Sequence, residues 1–262
     1  MSLELLSRVP LHIKHRTPIL FVHGAWHGAW CWEKYFMPYF ADHGYPVYAI
    51  SLRGHGASSG SAGLRTHRVK DYVEDVKSIT DGMPRQPILI GHSLGGHVVQ
   101  KYLERRSCPA AVLMASVPVG GIVKMLERLV RKHPLQFLKV NYRFSLYPFV
   151  STPKMAREML FSATLKPREL DEYYNLLQDE SYVCFLDMLF LAPIRPKRVR
   201  SKVLVLGAEN DRVFYRRDIR KTARAYNHQA IIMPEMAHDM MLEPNWQRAA
   251  DVILDWLRLQ EL

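Results

Sequence analysis

The chain has 262 residues, of which 48% are hydrophobic, and this is enough to form the core of one large domain. It contains no run of about 18 uncharged apolar residues, so we expect no transmembrane helix, and residues 1–10 lack the apolar stretch and cleavage site of a secretory signal peptide. The net charge of +11 comes from 36 basic and 25 acidic side chains. No nucleic-acid-binding motif accompanies this charge, so we expect no nucleic-acid partner.

The cysteines indicate neither a disulfide framework nor a metal site. Cys31, Cys108 and Cys184 are odd in number, are widely spaced and form no CxxC pair. We therefore predict free thiols in a reducing compartment, which places the protein in the cytoplasm. Nothing in the sequence requires a metal ion or an organic cofactor.

Six near-continuous apolar runs follow one another along the chain, and helical periodicity separates several of them. Such runs are typical of strands that are covered on both faces. They lie at 18–23, 45–51, 86–91, 110–116, 202–207 and 229–233, with helical spacing at 69–79 and 97–105. This alternation predicts the α/β class, with a mostly parallel central sheet flanked by helices.

The interval 118–200 interrupts this alternation. It contains no convincing strand and is rich in Leu, Met, Phe, Tyr and Arg, and several prolines divide it into short helical stretches, including 121–132 and 167–178. We predict a helical cap domain at 118–200, inserted before the last two strands of a core domain formed by 1–117 and 201–262. Its Met and Phe side chains either line an apolar substrate cavity or pack the helices against the core.

The sequence Gly-His-Ser-Leu-Gly at 91–95 is the strongest chemical signal. An apolar run ends at Gly91 and a helical pattern begins after Ser93, which is the context that a nucleophile elbow requires. A strand that turns sharply into a helix presents the serine oxygen above the sheet, at the partly positive N-terminus of the helix. We predict that Ser93 is the nucleophile.

A second signal follows the first apolar run, where His23, Gly24, Ala25 and Trp26 begin a loop. A backbone N–H of this loop, together with that of the residue after the nucleophile, forms the oxyanion hole in such an arrangement. We assign these donors to Ala25 and Leu94.

Two further residues of these motifs are candidates for substrate contact. Trp26 lies in the loop next to the predicted oxyanion hole, and His92 directly precedes the nucleophile. We predict both as substrate-binding residues, and for His92 the alternative is packing or a hydrogen bond beside the strand.

These motifs resemble the α/β-hydrolase superfamily over nearly the whole chain. HGAW at 23–26, RGHG at 53–56, GHSLGG at 91–96 and a late Asp and His occur in the order expected there. The chain resembles bacterial esterases and lipases, and 23–32 is similar to the plant methylesterase and hydroxynitrile lyase branch. The lyases carry Thr and Lys where this chain has Gly24 and Asp239, so the resemblance disfavours the lyase reaction.

The resemblance implies the remaining catalytic residues. It places the acid after the strand that follows the cap, where Asp211 fits and Glu209 is the second candidate, and the base after the last strand, where His238 fits. A serine hydroxyl needs a base within hydrogen-bond reach, imidazole has a suitable pKa, and a carboxylate orients the imidazole. The order Ser93, Asp211, His238 is the one this fold uses.

The predicted function is hydrolysis of a small-molecule carboxylic ester with an apolar acyl or aryl group, through an acyl-enzyme on Ser93. The same triad also serves amide, lactone, thioester or C–C bond hydrolysis, and perhydrolysis. Dehalogenase and epoxide hydrolase chemistry is disfavoured, because those groups use Asp in place of Ser93. A ligand-binding protein with vestigial turnover and a lipase that docks on anionic membrane are further alternatives, and the oligomeric state is open.

Overall fold

The apolar runs of the sequence form the strands of one central sheet in the computed structural model, which describes residues 2–262. The strands are β1 (Leu5–Arg8), β2 (Ile19–Val22), β3 (Val47–Ile50), β4 (Ile88–His92), β5 (Ala110–Met114), β6 (Lys202–Ala208) and β7 (Ile231–Met233). Their order across the sheet is β1-β3-β2-β4-β5-β6-β7. Every neighbouring pair is parallel except β1 and β3, so the sheet is mostly parallel, as predicted.

The edge strand β1 was not predicted from the sequence. It pairs antiparallel with β3, with Leu5 opposite Ile50 and Arg8 opposite Val47. Its residues are mostly exposed, so it lacks the continuous apolar pattern that marks the buried strands. Its pairing with β3 spans some forty residues of chain, and such a pairing leaves no local periodicity to detect.

Helices cover the sheet on both faces, and the two that the periodicity predicted, at 69–79 and 97–105, are present with limits shifted by at most three residues. The helices outside the interval 118–200 are α1 (Trp30–Glu33), α2 (Phe36–Asp42), α3 (Val69–Gly82) and α4 (Leu94–Leu103), followed after that interval by α10 (Arg216–Ala225) and α11 (Trp246–Leu259). All residues of β2, β4 and β5 are buried. The continuous apolar runs therefore reflect a sheet with helices on both sides.

Residues 118–200, called the inserted segment below, are helical and contain no strand within the described chain. Their α-helices are α5 (Val123–Lys132), α6 (Pro134–Arg143), α7 (Pro153–Leu160), α8 (Pro167–Tyr174) and α9 (Tyr182–Leu186). Proline is the first residue of α6, α7 and α8, where its missing N–H costs no helical hydrogen bond. These prolines thus mark the starts of α6, α7 and α8. Helix α8 begins at the predicted residue 167 and ends four residues before the predicted limit of 178.

The sheet brings the loops that carry the motifs to one edge. Val22 at the end of β2 lies opposite Gly91 in β4, and Ala208 in β6 lies opposite Met233 at the end of β7. Because these strands are parallel, their carboxyl ends meet on the same side of the sheet. The loops that follow β2, β4, β6 and β7 therefore converge there.

None of the helices described in residues 2–262 has the length and apolar character needed to cross a bilayer. The three cysteines are free and buried. The cytoplasmic location inferred from them stays a prediction.

Candidate functional site

Ser93 lies in the turn between β4, which ends at His92, and α4, which begins at Leu94. Its backbone has φ 50° and ψ −114°, a conformation that is rare for residues other than glycine and costs about 1–3 kcal/mol. A Cβ on Gly95 would lie 2.3 Å from the Val22 carbonyl oxygen. The turn therefore needs a glycine at this position to let α4 pack against β2.

The structure brings the three predicted catalytic side chains together, although they are far apart in the sequence. Ser93 Oγ lies 2.9 Å from His238 Nε2, and His238 Nδ1 lies 2.9 Å from Asp211 Oδ2. All three residues are buried. The hydroxyl can donate its proton to Nε2, while Nδ1–H donates to the carboxylate.

The Asp211 carboxylate is held in one orientation by backbone donors. Its Oδ1 accepts hydrogen bonds from the N–H groups of Val213 at 2.7 Å and Phe214 at 2.9 Å, which leaves Oδ2 for the imidazole. Glu209, the second candidate for the acid, instead contacts Arg216 at the surface. Of the two candidates, the structure therefore places Asp211 against His238.

Two carboxylates act on the pKa of His238. Burial disfavours the imidazolium and lowers the pKa, but the charge and hydrogen bond of Asp211, with a smaller effect from Asp239, raise it above its ordinary value of 6.5. Such an environment favours the protonated form of the His238 imidazole.

The predicted oxyanion-hole residues lie beside the serine. Ala25 and Leu94 line the same cavity as Ser93. Neither of their backbone N–H groups donates a hydrogen bond to any acceptor in residues 2–262. Two unpaired donors, one from the loop after β2 and one at the N-terminus of α4, are suited to an oxyanion.

Gly24 explains why this loop can approach the nucleophile so closely. A Cβ at this position would lie 2.7 Å from His92 Nδ1 and 3.0 Å from Ser93 Cβ. Any larger side chain would push the loop away from the elbow. The threonine that the lyases carry here would therefore not fit this arrangement without a shift of the loop.

The cavity beside Ser93 is narrow, with a volume of about 40 Å³, and its lining is almost entirely apolar. Trp26 lines it, at the position predicted for a substrate-binding residue. The inserted segment and the loop after β6 supply most of the remaining lining, including Met125, Leu129, Phe149, Met159, Met188 and Phe214. The described structure therefore has a tight apolar cavity directly beside Ser93.

His92, the other predicted substrate-binding residue, does not line this cavity. It is buried behind the turn of His238, where its Nε2–H donates to the His238 carbonyl oxygen over 3.0 Å. Burial, with the neighbouring His238, lowers the pKa of His92 to about 3, so its ring is neutral. His92 thus supports the turn that carries His238. It lies outside the cavity, which corrects the expected contact between His92 and substrate.

A buried ion pair that the sequence did not reveal lies directly behind His238. Asp239 Oδ2 is 3.0 Å from His27 Nε2, and neither side chain is exposed. His27 Nδ1 faces the Ala25 carbonyl oxygen at 2.7 Å. Both ring nitrogens of His27 therefore face acceptor oxygens, and Nε2–H donates to the buried Asp239 carboxylate.

The pKa of Asp239 agrees with this ion pair. Burial raises the pKa of the carboxyl group, but the charge and hydrogen bond of His27, with His92 and His238, lower it below 3.8 overall. In the sequence the only signal was an acidic residue directly after His238, and its partner is 212 positions away.

The His92, His238 and Asp239 side chains bring potential metal ligands within 4.8 Å of one another. Both nitrogens of His238 are already engaged, by Ser93 and Asp211. We therefore assign these side chains to the hydrogen-bond network of the site and propose no metal there.

The RGHG motif at 53–56 connects the core to the inserted segment. His55 Nε2 lies 3.1 Å from Glu180 Oε2, both fully buried, and Arg53 forms a bidentate ion pair with Asp75 in α3. The Glu180 carboxylate also accepts a hydrogen bond from the Tyr72 hydroxyl. This motif holds the inserted segment in place and lies outside the cavity.

Comparisons with known proteins show which family this chain is similar to. The model of the alpha/beta hydrolase family matches residues 19–252. Methylesterase 18 of Arabidopsis thaliana is 34% identical over 183 residues, which cover 67% of this chain and 68% of that protein. A non-heme chloroperoxidase of Streptomyces lividans is 37% identical over 105 residues, 38% of this chain and 37% of that protein.

The first curated relatives are matched over about a third of their own length. Among solved structures, a monoacylglycerol lipase of Paleococcus ferrophilus superposes with a TM-score of 0.74 at 21% identity, over 99% of this chain and 100% of that one. At this identity the likeness concerns the fold alone. The predicted fold class and the resemblance to esterases are confirmed, and this chain belongs to the alpha/beta hydrolase family.

Proposed function

We propose that the protein hydrolyses carboxylic esters through an acyl-enzyme on Ser93. Ser93 Oγ attacks the carbonyl carbon while His238 Nε2 accepts the hydroxyl proton, and that proton passes to the leaving alcohol when the ester C–O bond breaks. Water then attacks the acyl-enzyme with His238 as the base, which releases the carboxylic acid and regenerates the serine hydroxyl.

The observation that carries the proposal is the continuous line of hydrogen bonds from Ser93 Oγ through His238 to Asp211, with both distances at 2.9 Å. The unpaired N–H groups of Ala25 and Leu94 beside the serine support it. Each donor of such an oxyanion hole typically contributes about 2.7–4 kcal/mol to transition-state stabilisation.

The substrate class follows from the cavity and from the relatives. An almost entirely apolar lining suits an acyl or aryl group without charge. Methylesterase 18 supports a small alcohol as the leaving group. We propose that the inserted segment acts as a cap, and that the chain divides into a core of 1–117 and 201–262 and a cap of 118–200.

Ser93→Ala tests this proposal. With p-nitrophenyl esters from acetate to palmitate, we expect kcat to fall on the order of a thousandfold or more, because no other group replaces the nucleophile. Ser59→Ala, a change at an exposed serine, is the control and is expected to keep wild-type activity. Labelling by a fluorophosphonate should occur in the wild type and be lost only in Ser93→Ala.

Two other results would reject ester hydrolysis. If the wild type and Ser93→Ala were equally slow and neither were labelled by the fluorophosphonate, the protein would be a ligand-binding protein with vestigial turnover. If Ser93 were labelled but no ester were turned over, the hydrolysed bond would be of another type, such as an amide, lactone, thioester or C–C bond.

The relative named a non-heme chloroperoxidase favours perhydrolysis as a second candidate. Hydrogen peroxide would then replace water as the nucleophile that attacks the acyl-enzyme, and the product would be a peracid. Peracid formation from acetate and hydrogen peroxide, measured for the wild type and Ser93→Ala, tests this candidate.

Leu129→Ala tests the cap assignment, since Leu129 of α5 lines the cavity and is buried. Removing its side chain enlarges the acyl site, so we expect the ratio of kcat/KM for p-nitrophenyl octanoate over acetate to rise by about tenfold. Val140→Ala is the matched control, because Val140 is buried in α6 but does not line the cavity. An equal ratio in both variants would show that α5 does not shape the acyl site.

A further inference from the structure

Helix α6 exposes large apolar side chains to solvent. Leu135, Leu138 and Tyr142 are 66%, 64% and 87% exposed, and Phe144, directly after the helix, is 58% exposed. Their spacing puts the first three on one side of the helix, while Val140 packs into the core. We refer to Leu135, Leu138, Tyr142 and Phe144 as the α6 stripe.

Lys139 and Arg143 of α6 form a basic rim beside the α6 stripe. The neighbouring helix α5 adds Lys124 and Arg131, whereas its Arg128 and Lys132 form ion pairs with Asp218 and Glu158. Lys139 and Arg143 are exposed. Neither forms an ion pair with any acidic group among residues 2–262.

An open cleft lies at the end of the α6 stripe, with a volume of about 780 Å³. Arg65, Arg143, Tyr142 and Phe144 line it. Asp179 also lines it, but its Oδ1 accepts hydrogen bonds from backbone N–H groups, including that of Leu146 at 3.0 Å. The cleft therefore combines two exposed guanidinium groups and aromatic side chains with one carboxylate, and its excess positive charge suits a phosphate headgroup.

We propose that the α6 stripe and its basic rim dock the protein on an anionic phospholipid bilayer. The apolar side chains enter the boundary between headgroups and acyl chains, while the basic side chains are attracted by the negative surface. A second copy of this chain is a poor occupant, because a self-complementary contact would bring the same positive rims together.

The position of the α6 stripe relates docking to the candidate site. It lies in the inserted segment, directly after α5, whose Met125 and Leu129 line the cavity beside Ser93. Docking would therefore hold the cavity wall close to the bilayer. This inference does not depend on the proposed chemistry, because binding can be measured without turnover.

Vesicle flotation tests the proposal with the full chain. We expect the protein to float with vesicles of phosphatidylcholine mixed with phosphatidylglycerol, and added salt should weaken this binding. In Lys139→Gln with Arg143→Gln, the partition coefficient should fall by about tenfold or more, since each basic residue near an anionic surface contributes about fivefold. Leu135→Gln with Leu138→Gln should also weaken binding, because it removes apolar area from the boundary.

The matched control is Arg217→Gln with Arg220→Gln on α10, which removes the same charge from an exposed basic face without an apolar stripe. It should keep most of the binding. An equal loss in the control would attribute binding to net charge and overturn the proposal. The proposal would also be overturned if the protein did not float, or if it bound pure phosphatidylcholine equally well. A dimer in solution that Leu135→Gln with Leu138→Gln dissociates would overturn it as well.

Discussion

Asp211→Asn is expected to lower kcat by about 10⁴-fold while leaving the fold intact. In the wild type, Oδ1 accepts from the N–H groups of Val213 and Phe214, and Oδ2 accepts from His238. An asparagine that keeps its oxygen toward these backbone donors presents its NH2 group to His238. The imidazole must then accept at Nδ1 and carry its proton on Nε2, where it cannot accept the proton of Ser93.

Steady-state kinetics on a short p-nitrophenyl ester measures this effect, and thermal unfolding checks the fold. Glu209→Gln is the matched control, because Glu209 was the other sequence candidate and lies at the surface. It should retain wild-type kcat. Comparable losses in both variants, or a larger loss in Glu209→Gln, would contradict the assignment of Asp211 as the acid.

Asp239→Asn is expected to reduce stability strongly and to shift the pH profile of activity. The His27 ring would lose the carboxylate that lies 3.0 Å away in a fully buried site. Breaking one partner of a buried ion pair typically costs about 3–5 kcal/mol of unfolding free energy. Urea unfolding near neutral pH, compared between the wild type and the variant, measures this cost.

The pH dependence of this stability difference has a definite sign. The pKa of Asp239 is lower in the folded protein than its ordinary value of 3.8. Its contribution to stability is therefore fully present above that value and is lost as the pH falls through the lowered pKa. The difference between wild type and variant should shrink in strong acid and stay constant at neutral pH.

The pH profile of activity gives a readout that a purely structural role would not change. The charge of Asp239 helps to raise the pKa of His238, and the base works only when it is neutral. Asp239→Asn should therefore move the acidic limb of kcat/KM to lower pH. His27→Gln keeps the carboxylate, so it should lose stability without this shift. A profile that Asp239→Asn leaves unchanged would contradict the electrostatic role.

The local sequence pattern was sufficient to predict most of the fold. Each buried strand was visible as a continuous apolar run, since burial on both faces removes the need for polar residues. The glycines around Ser93 indicated the elbow, because only small residues allow a strand and a helix to approach so closely there. The helical character of residues 118–200 was visible from the spacing of apolar residues and from the prolines.

Contacts between distant segments were decided only by the tertiary structure. The pairing of β1 with β3 and the ion pair of Asp239 with His27 each join residues whose own neighbourhoods carry no mark of the partner. The place of His92 behind His238 was missed for the same reason. Periodicity records how much each residue is buried, whereas these contacts depend on the way the sheet brings separate loops to one edge.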